Sequence, residues 1–226
     1  MPAEPTYFRL RVEYDEDAMS PRAACSTTGT LLTWHRRYDW SDRCDLRRDT
    51  LPDTLCRMAD DVQPGWDADE QSERDLMSVI DAHYLLMRVY MYEHSGICLS
   101  TRPFYDPWDS GVLGIIFVNK HDWVRENGCA RWTDETEATA RKQLEAEVQL
   151  MEDYISGRVY GVTVQSNTVD EWGNDPNEEG CWGFYGDDVE HNGMLGYVPE
   201  FLHQLCREAI KKPGVWFSHT MKETHV

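Results

Sequence analysis

The first clear pattern is the alternation of polar and apolar residues over 7–14 (YFRLRVEY), which predicts a half-buried strand. Turn formers fill 15–28 and predict a loop. A second strand is expected at 30–34 (TLLTW), followed by an arginine-rich run. Residues 51–62 suit a short helix with Pro52 in its first turn. Pro64-Gly65 then breaks the pattern, and 67–82 reads as a further helix with Leu76, Val79 and Ile80 on one face. Acids crowd the N-terminal part of that helix, where the helix dipole tolerates them. Strands are predicted at 85–92, 96–100 and 112–119. The last (VLGIIFVN) is almost wholly apolar, the mark of a central strand buried on both faces.

The strongest helical signal covers 134–155, where Leu144, Val148, Met151 and Ile155 recur at helical spacing and Gly157 ends the run. Asp134 with Glu137 suggests its cap. Residues 158–165 read as a strand, 166–180 as a polar acidic loop and 181–185 (CWGFY) as the hairpin partner. A final helix is expected at 197–210, with Phe201, Leu202 and Leu205 on its inner face, and a tail at 211–226. Strands and helices interleave without a βαβ rhythm. The fold class expected is α+β: one compact domain over 1–226, a mixed or mainly antiparallel sheet and about four helices. Residues 60–73 come nearest to a domain boundary.

Charge changes this picture most. Against 22 Lys+Arg stand 41 Asp+Glu, a formal net charge of −19. Such a chain repels phosphates, which excludes sequence-independent nucleic-acid binding and disfavours anionic membranes. The excess is concentrated in two windows. Residues 60–81 carry eight acids and one base, and 170–190 carry eight acids and no base. One reading is solvated surface. The sharper one is a carboxylate array that imitates DNA phosphates and is drawn to a basic cleft. The residues expected to carry it are Asp67, Asp69, Glu70, Glu73 and Asp75 in the first window, and Asp170, Glu171, Asp175, Glu178 and Glu179 in the second. A weaker third reading is a magnesium or calcium site at Asp187, Asp188, Glu190 and His191. Residues 170–180 fail the EF-hand spacing, because Asp175 stands where a glycine belongs.

The seven cysteines are odd in number, widely spaced and free of any CxxC pair. With no apolar signal core near the N-terminus, they predict free thiols in a reducing cytoplasm. No Walker loop, dinucleotide fingerprint or G-x-S-x-G elbow occurs, and no cofactor is expected.

Four motifs hold the remaining chemistry: WHRRY at 34–38, YEHSGI at 92–97, WDSG at 108–111 and CWGFYG at 181–186. His94, oriented by Asp109 or Glu93, has the makings of a general base. Ser110 and Cys181, with Ser95 and Cys98, are the candidate nucleophiles. The structural reading is tight turns in which the same side chains satisfy backbone groups, and it takes precedence. Arg36, Arg37 and His35 suggest an anion pocket, but the run 36–48 also holds Asp39, Asp42 and Asp45 and is followed by Asp49. Internal ion pairs are therefore the simpler reading.

Together these motifs resemble, over about 29–186, a family of small acidic proteins encoded by bacteriophages and mobile elements. The resemblance carries no assigned activity and no catalytic residue. It implies an accessory protein that antagonises host restriction or CRISPR systems by occupying a DNA-binding surface. The expected partner is a basic host protein or nucleoprotein complex in the bacterial cytoplasm, met by a monomer or homodimer without direct contact to nucleic acid or membrane. The alternative is an enzyme using His94 and Asp109 with Cys181 or Ser110 on a small substrate.

Overall fold

The computed structural model describes residues 7–167 and 177–220. The chain divides into two compact units, Met1–Ser20 with Asp153–Val226, and Pro21–Glu152. Each has its own four-stranded antiparallel sheet, so the α+β class holds with two sheets in place of one.

In the larger unit the strands are β2 (Thr30–Thr33), β3 (Tyr84–Glu93), β4 (Ile97–Ser100) and β5 (Ser110–Asn119), in the order β2-β5-β3-β4. β5 is central, as its apolar run predicts, and Leu113 to Val118 are all buried. Two helices, α2 (Leu51–Val62) and α3 (Glu73–His83), share a core with the sheet through Leu55, Met58, Leu76, Ile80, Ile115 and Phe117. Burying aliphatic side chains of this size contributes roughly 1.5–3 kcal/mol each. The long helix α5 (Asp134–Ile155) buries Ala140, Leu144, Val148 and Met151 along one stripe. Leu144 and Ile116 close over Gly29, where a Cβ would lie 2.3 Å from a Leu144 methyl, so any larger residue would have to displace that buried leucine.

In the smaller unit β1 (Tyr7–Tyr14), β6 (Val159–Ser166), β7 (Asn177–Tyr185) and β8 (Phe217–Thr220) pair in the order β7-β6-β1-β8. Leu10 and Val12 of β1 point into a core with Val162, Phe184, Met194, Leu202 and Cys206. Arg9 and Arg11, at alternate positions, instead lie over the ring of Trp216 at 4.7 and 4.6 Å. Trp182 covers Gly161, where its ring stands 2.1 Å from the site of an added Cβ.

Several expectations need correction. Among the described residues there are six α-helices where about four were expected, because α1 (Pro21–Ala24) and α4 (Lys120–Glu126) are short and lack a periodic stripe. The cap of α5 is Thr133, whose hydroxyl accepts from Thr136 N while Thr136 Oγ1 accepts from Thr133 N. α3 begins at Glu73, since the Ser72 hydroxyl caps it by accepting from Asp75 N. The final helix is only α6 (His203–Ala209), preceded by single turns at Met194–Gly196 and Glu200–Leu202. Phe201 is 40% exposed and meets Phe8 edge-on at 4.9 Å rather than entering the core. The supposed tail contains β8, which pairs with β1 with Leu10 opposite Phe217. Among the described residues no helix is long and apolar enough to cross a membrane.

Candidate functional site

The strongest concentration of unspent charge lies on α2, α3 and the turn between them. Thr50 caps α2 by accepting from Asp53 N and donating to Asp53 Oδ2 at 2.6 Å, and Ser72 treats Asp75 likewise. With the apolar stripes turned to the core, the acids are left outside. Of the eight acids in 60–81, seven are exposed and Asp60 is half-buried. Two of them have basic partners among the described residues: Asp61 lies 3.8 Å from Arg57, and Glu73 pairs with Arg88. Asp67, Asp69, Glu70 and Asp75 make no ion pair there.

The second acidic window is built differently. Asp170, Glu171 and Asp175 lie outside the described residues. Glu178 and Glu179 are exposed on β7, and Glu178 accepts from Gln165 Nε2 at 2.5 Å. Beyond the strand, Asp188 Oδ2 is 2.8 Å from His191 Nδ1 and Glu190 accepts from Arg207 Nε at 2.6 Å. Each bond holds its carboxylate below the ordinary range. Asp187, Asp188, Glu190 and His191 therefore do not converge, and no group of three potential ligands is arranged to hold a metal ion among the described residues.

The motifs read for catalysis meet only in part. His94 and Asp109 sit at adjoining ends of β3 and β5, where Glu93 N donates to Asp109 O at 2.8 Å. His94 Nε2 is 3.9 Å from Asp109 Oδ2, and the imidazole is 66% exposed. Ser110 is turned away: its hydroxyl donates to the carbonyl of Asp106, whose carboxylate accepts from the backbone N–H groups of Trp108 and Asp109. That is an Asx turn at the start of β5. Cys181 belongs to the other unit, where it lines a cavity of about 250 Å³ with Phe8, Val162 and Tyr197. All seven cysteines are unpaired, and burial pushes the Cys206 thiol up to about 11.

WHRRY proves to be a packing device. The His35 side chain is 3% exposed, and its Nδ1 accepts from Arg37 N and Tyr38 N at 3.2 Å. The proton must then reside on Nε2, which faces Glu93 Oε2 at 3.4 Å. Burial, with Arg37 and Arg36 nearby, lowers the imidazole pKa and keeps it neutral. Tyr38 and Trp40 stack with it at 5.2 and 5.6 Å. Arg37 pairs with Glu93, and Arg36 of the supposed anion pocket, 78% exposed, lies 4.0 Å from the same carboxylate. Sequence reasoning missed Glu93 as the hub of this cluster. Its signal was present in the two arginines and a histidine that need a counter-charge.

No protein-family model, curated protein or solved structure matches the chain. The functional reading is carried by the residues themselves.

Proposed function

We propose that this chain is a non-enzymatic binding protein of phage or mobile-element type. Its acidic α2–α3 surface docks on a basic nucleic-acid-binding protein of a host defence system and competes there with DNA. The observation that supports this is the state of the charge: seven exposed acids of residues 60–81 on α2, α3 and the turn between them, of which only Asp61 and Glu73 are ion-paired among the described residues. Exposed carboxylates contribute little to the fold that carries them, yet several together raise the encounter rate with a basic cleft. Glu178 and Glu179 on β7 offer a second acidic strip. The bacterial cytoplasm is the setting in which such a partner and seven free thiols occur together. The enzymatic alternative retains the His94–Asp109 pair, but the Ser110 hydroxyl is committed to a backbone carbonyl.

The test is a triple neutralisation, Asp67→Asn, Glu70→Gln and Asp81→Asn, which spares the Asp75 cap and the Glu73–Arg88 pair. Partners captured from bacterial lysate and eluted by salt are identified, and each is then challenged with duplex DNA. Capture by the native chain should fade as the Debye length falls from roughly 10 Å at 0.1 M to roughly 3 Å at 1 M salt. DNA should compete, and the triple variant should associate about tenfold more slowly. Salt-insensitive capture, or capture unchanged in the variant, rejects the reading.

A further inference from the structure

The acidic surface is not uniformly polar. Between α2, the start of α3 and the near end of β5 lies a groove of about 370 Å³. Its apolar lining comes from Leu51, Leu55, Leu76 and Val112, and Val112 is 42% exposed at the open end of β5, just before the buried run Leu113 to Val118. Asp53, Asp69 and Glu73 also line it. Glu73 is engaged by Arg88, another lining residue, which leaves the Asp53 and Asp69 carboxylates without a basic partner among the described residues. An apolar wall with unneutralised carboxylates has the complement of one kind of side chain, a long aliphatic stem ending in a cation. The volume is at the lower end of the roughly 300–1,000 Å³ of small-ligand clefts, which suits one or two side chains rather than a whole helix face.

We infer that this groove is the specificity pocket of the acidic surface and takes an arginine side chain of the partner protein, stem on the leucines and guanidinium against Asp53 and Asp69. Arginine fits better than lysine because its planar fork meets carboxylates bidentately and sheds water more readily than an ammonium. The inference rests on the acidic-surface reading, and it narrows the partner's contact to an arginine flanked by apolar surface. Charge alone would draw in any basic protein, whereas a pocket of this kind selects among them.

The probe is n-hexylguanidinium, titrated into the full chain and followed by methyl NMR, with n-hexylurea as the uncharged isostere. Saturable shifts are expected at Leu51, Leu76 and Val112, with n-hexylurea on the order of tenfold weaker. Val112→Trp plugs the groove without changing net charge and should weaken the probe by at least about tenfold. Asp69→Asn, at an exposed position, should weaken it similarly and carries the test if the tryptophan variant fails to fold. No saturable shift at these methyls, equal binding of the urea, or indifference to both substitutions overturns the inference. The triple neutralisation above touches no lining residue, so it should leave probe binding intact while slowing partner association. Partner capture that survives the triple variant rejects the acidic-surface reading with the groove still standing. Capture that survives Val112→Trp rejects the groove as the specificity pocket and spares the acidic surface.

Discussion

Two acidic regions of the larger unit put the same charge to opposite uses. Around Glu147 the carboxylates build the fold. Glu147 on α5 is 11% exposed, accepts from Thr28 N at 2.5 Å and Gly29 N at 3.1 Å, and pairs with Arg22 Nη1 at 2.5 Å. Asp42 takes the other side of the same guanidinium and accepts from Leu31 N at 2.8 Å. Burial alone would push Arg22 down, but the hydrogen bonds to Asp42 and Glu147 outweigh it and hold the pKa up. On α2 and α3 the carboxylates face solvent with few partners, and the helices are held by caps and leucines. Charge bound into a buried network is invisible to a partner, while charge on a capped helix is available to one. Net charge along a sequence does not separate the two.

Breaking the buried region should have the largest effect. Glu147→Ala takes one of its two carboxylate partners from Arg22 and removes the acceptor of the Thr28 and Gly29 N–H groups, and removal of one member of a buried ion pair costs about 3–5 kcal/mol. Denaturant unfolding should show that loss, whereas the triple neutralisation on α3 and the turn before it should cost no more than about 0.5 kcal/mol. Equal losses in the two would erase the distinction between committed and available charge.

The contrast also shows what was legible beforehand. β1, α2 and the body of α5 follow from local periodicity, and their ends fall within a residue or so of expectation. β8 does not, because FSHT has little pattern of its own and is held by the edge of β1. α4 has seven residues and no apolar stripe, and its only signal is Asn119, whose side chain accepts from His121 N and Asp122 N. Residues 197–210 read as one helix, but Pro199 keeps an extended ψ of 139° and the turn at Glu200–Leu202 starts afresh after it. At the site, the acids could be counted from the sequence, but their state could not. Glu73 meets Arg88, Glu190 meets Arg207 and Glu178 meets Gln165 only once the chain has folded. Leu51 and Val112 share a groove for the same reason.

His35 gives a pH handle on which loops are internally committed. Its folded pKa lies below the ordinary 6.5, so between those two values the unfolded chain binds the extra proton. Its contribution to stability is therefore complete above 6.5 and is lost as pH falls through that value towards the folded pKa. Asp39 and Glu137 are also lowered, by the hydrogen bonds from Arg47 and Trp132, but their losses begin only below the ordinary carboxylate values of 3.8 and 4.5. A melting temperature that drops from pH 6.5 downward in the native chain, and not in His35→Phe, is the expected result. An identical slope in both would show that the imidazole is not held neutral by burial.

The caps come next. Thr50→Ala and Ser72→Ala each remove the acceptor for an orphan N–H, at a cost of about 1 kcal/mol apiece. Both losses should appear in chemical denaturation, while association should slow far less than in the triple neutralisation, because neither change removes a charge from the acidic surface.

The smallest effect has an informative sign. Asp81 lies in the last turns of α3, where the helix dipole is negative and a carboxylate is misplaced. It is exposed, and the contact of Lys120 Nζ at this residue is to the backbone carbonyl at 2.6 Å, not to the side chain. A residue selected for folding alone would not be acidic here. Asp81→Asn should stabilise the chain by about 0.3–1 kcal/mol at low ionic strength, and the gain should shrink as salt screens the dipole. If Asp81 contributes to docking, the same change should slow association with the captured partner. A stability gain paired with slower binding is the signature of charge kept for a partner at the expense of the fold. A gain without any change in binding would return Asp81 to solvation and shrink the functional surface to the residues between Asp67 and Asp75.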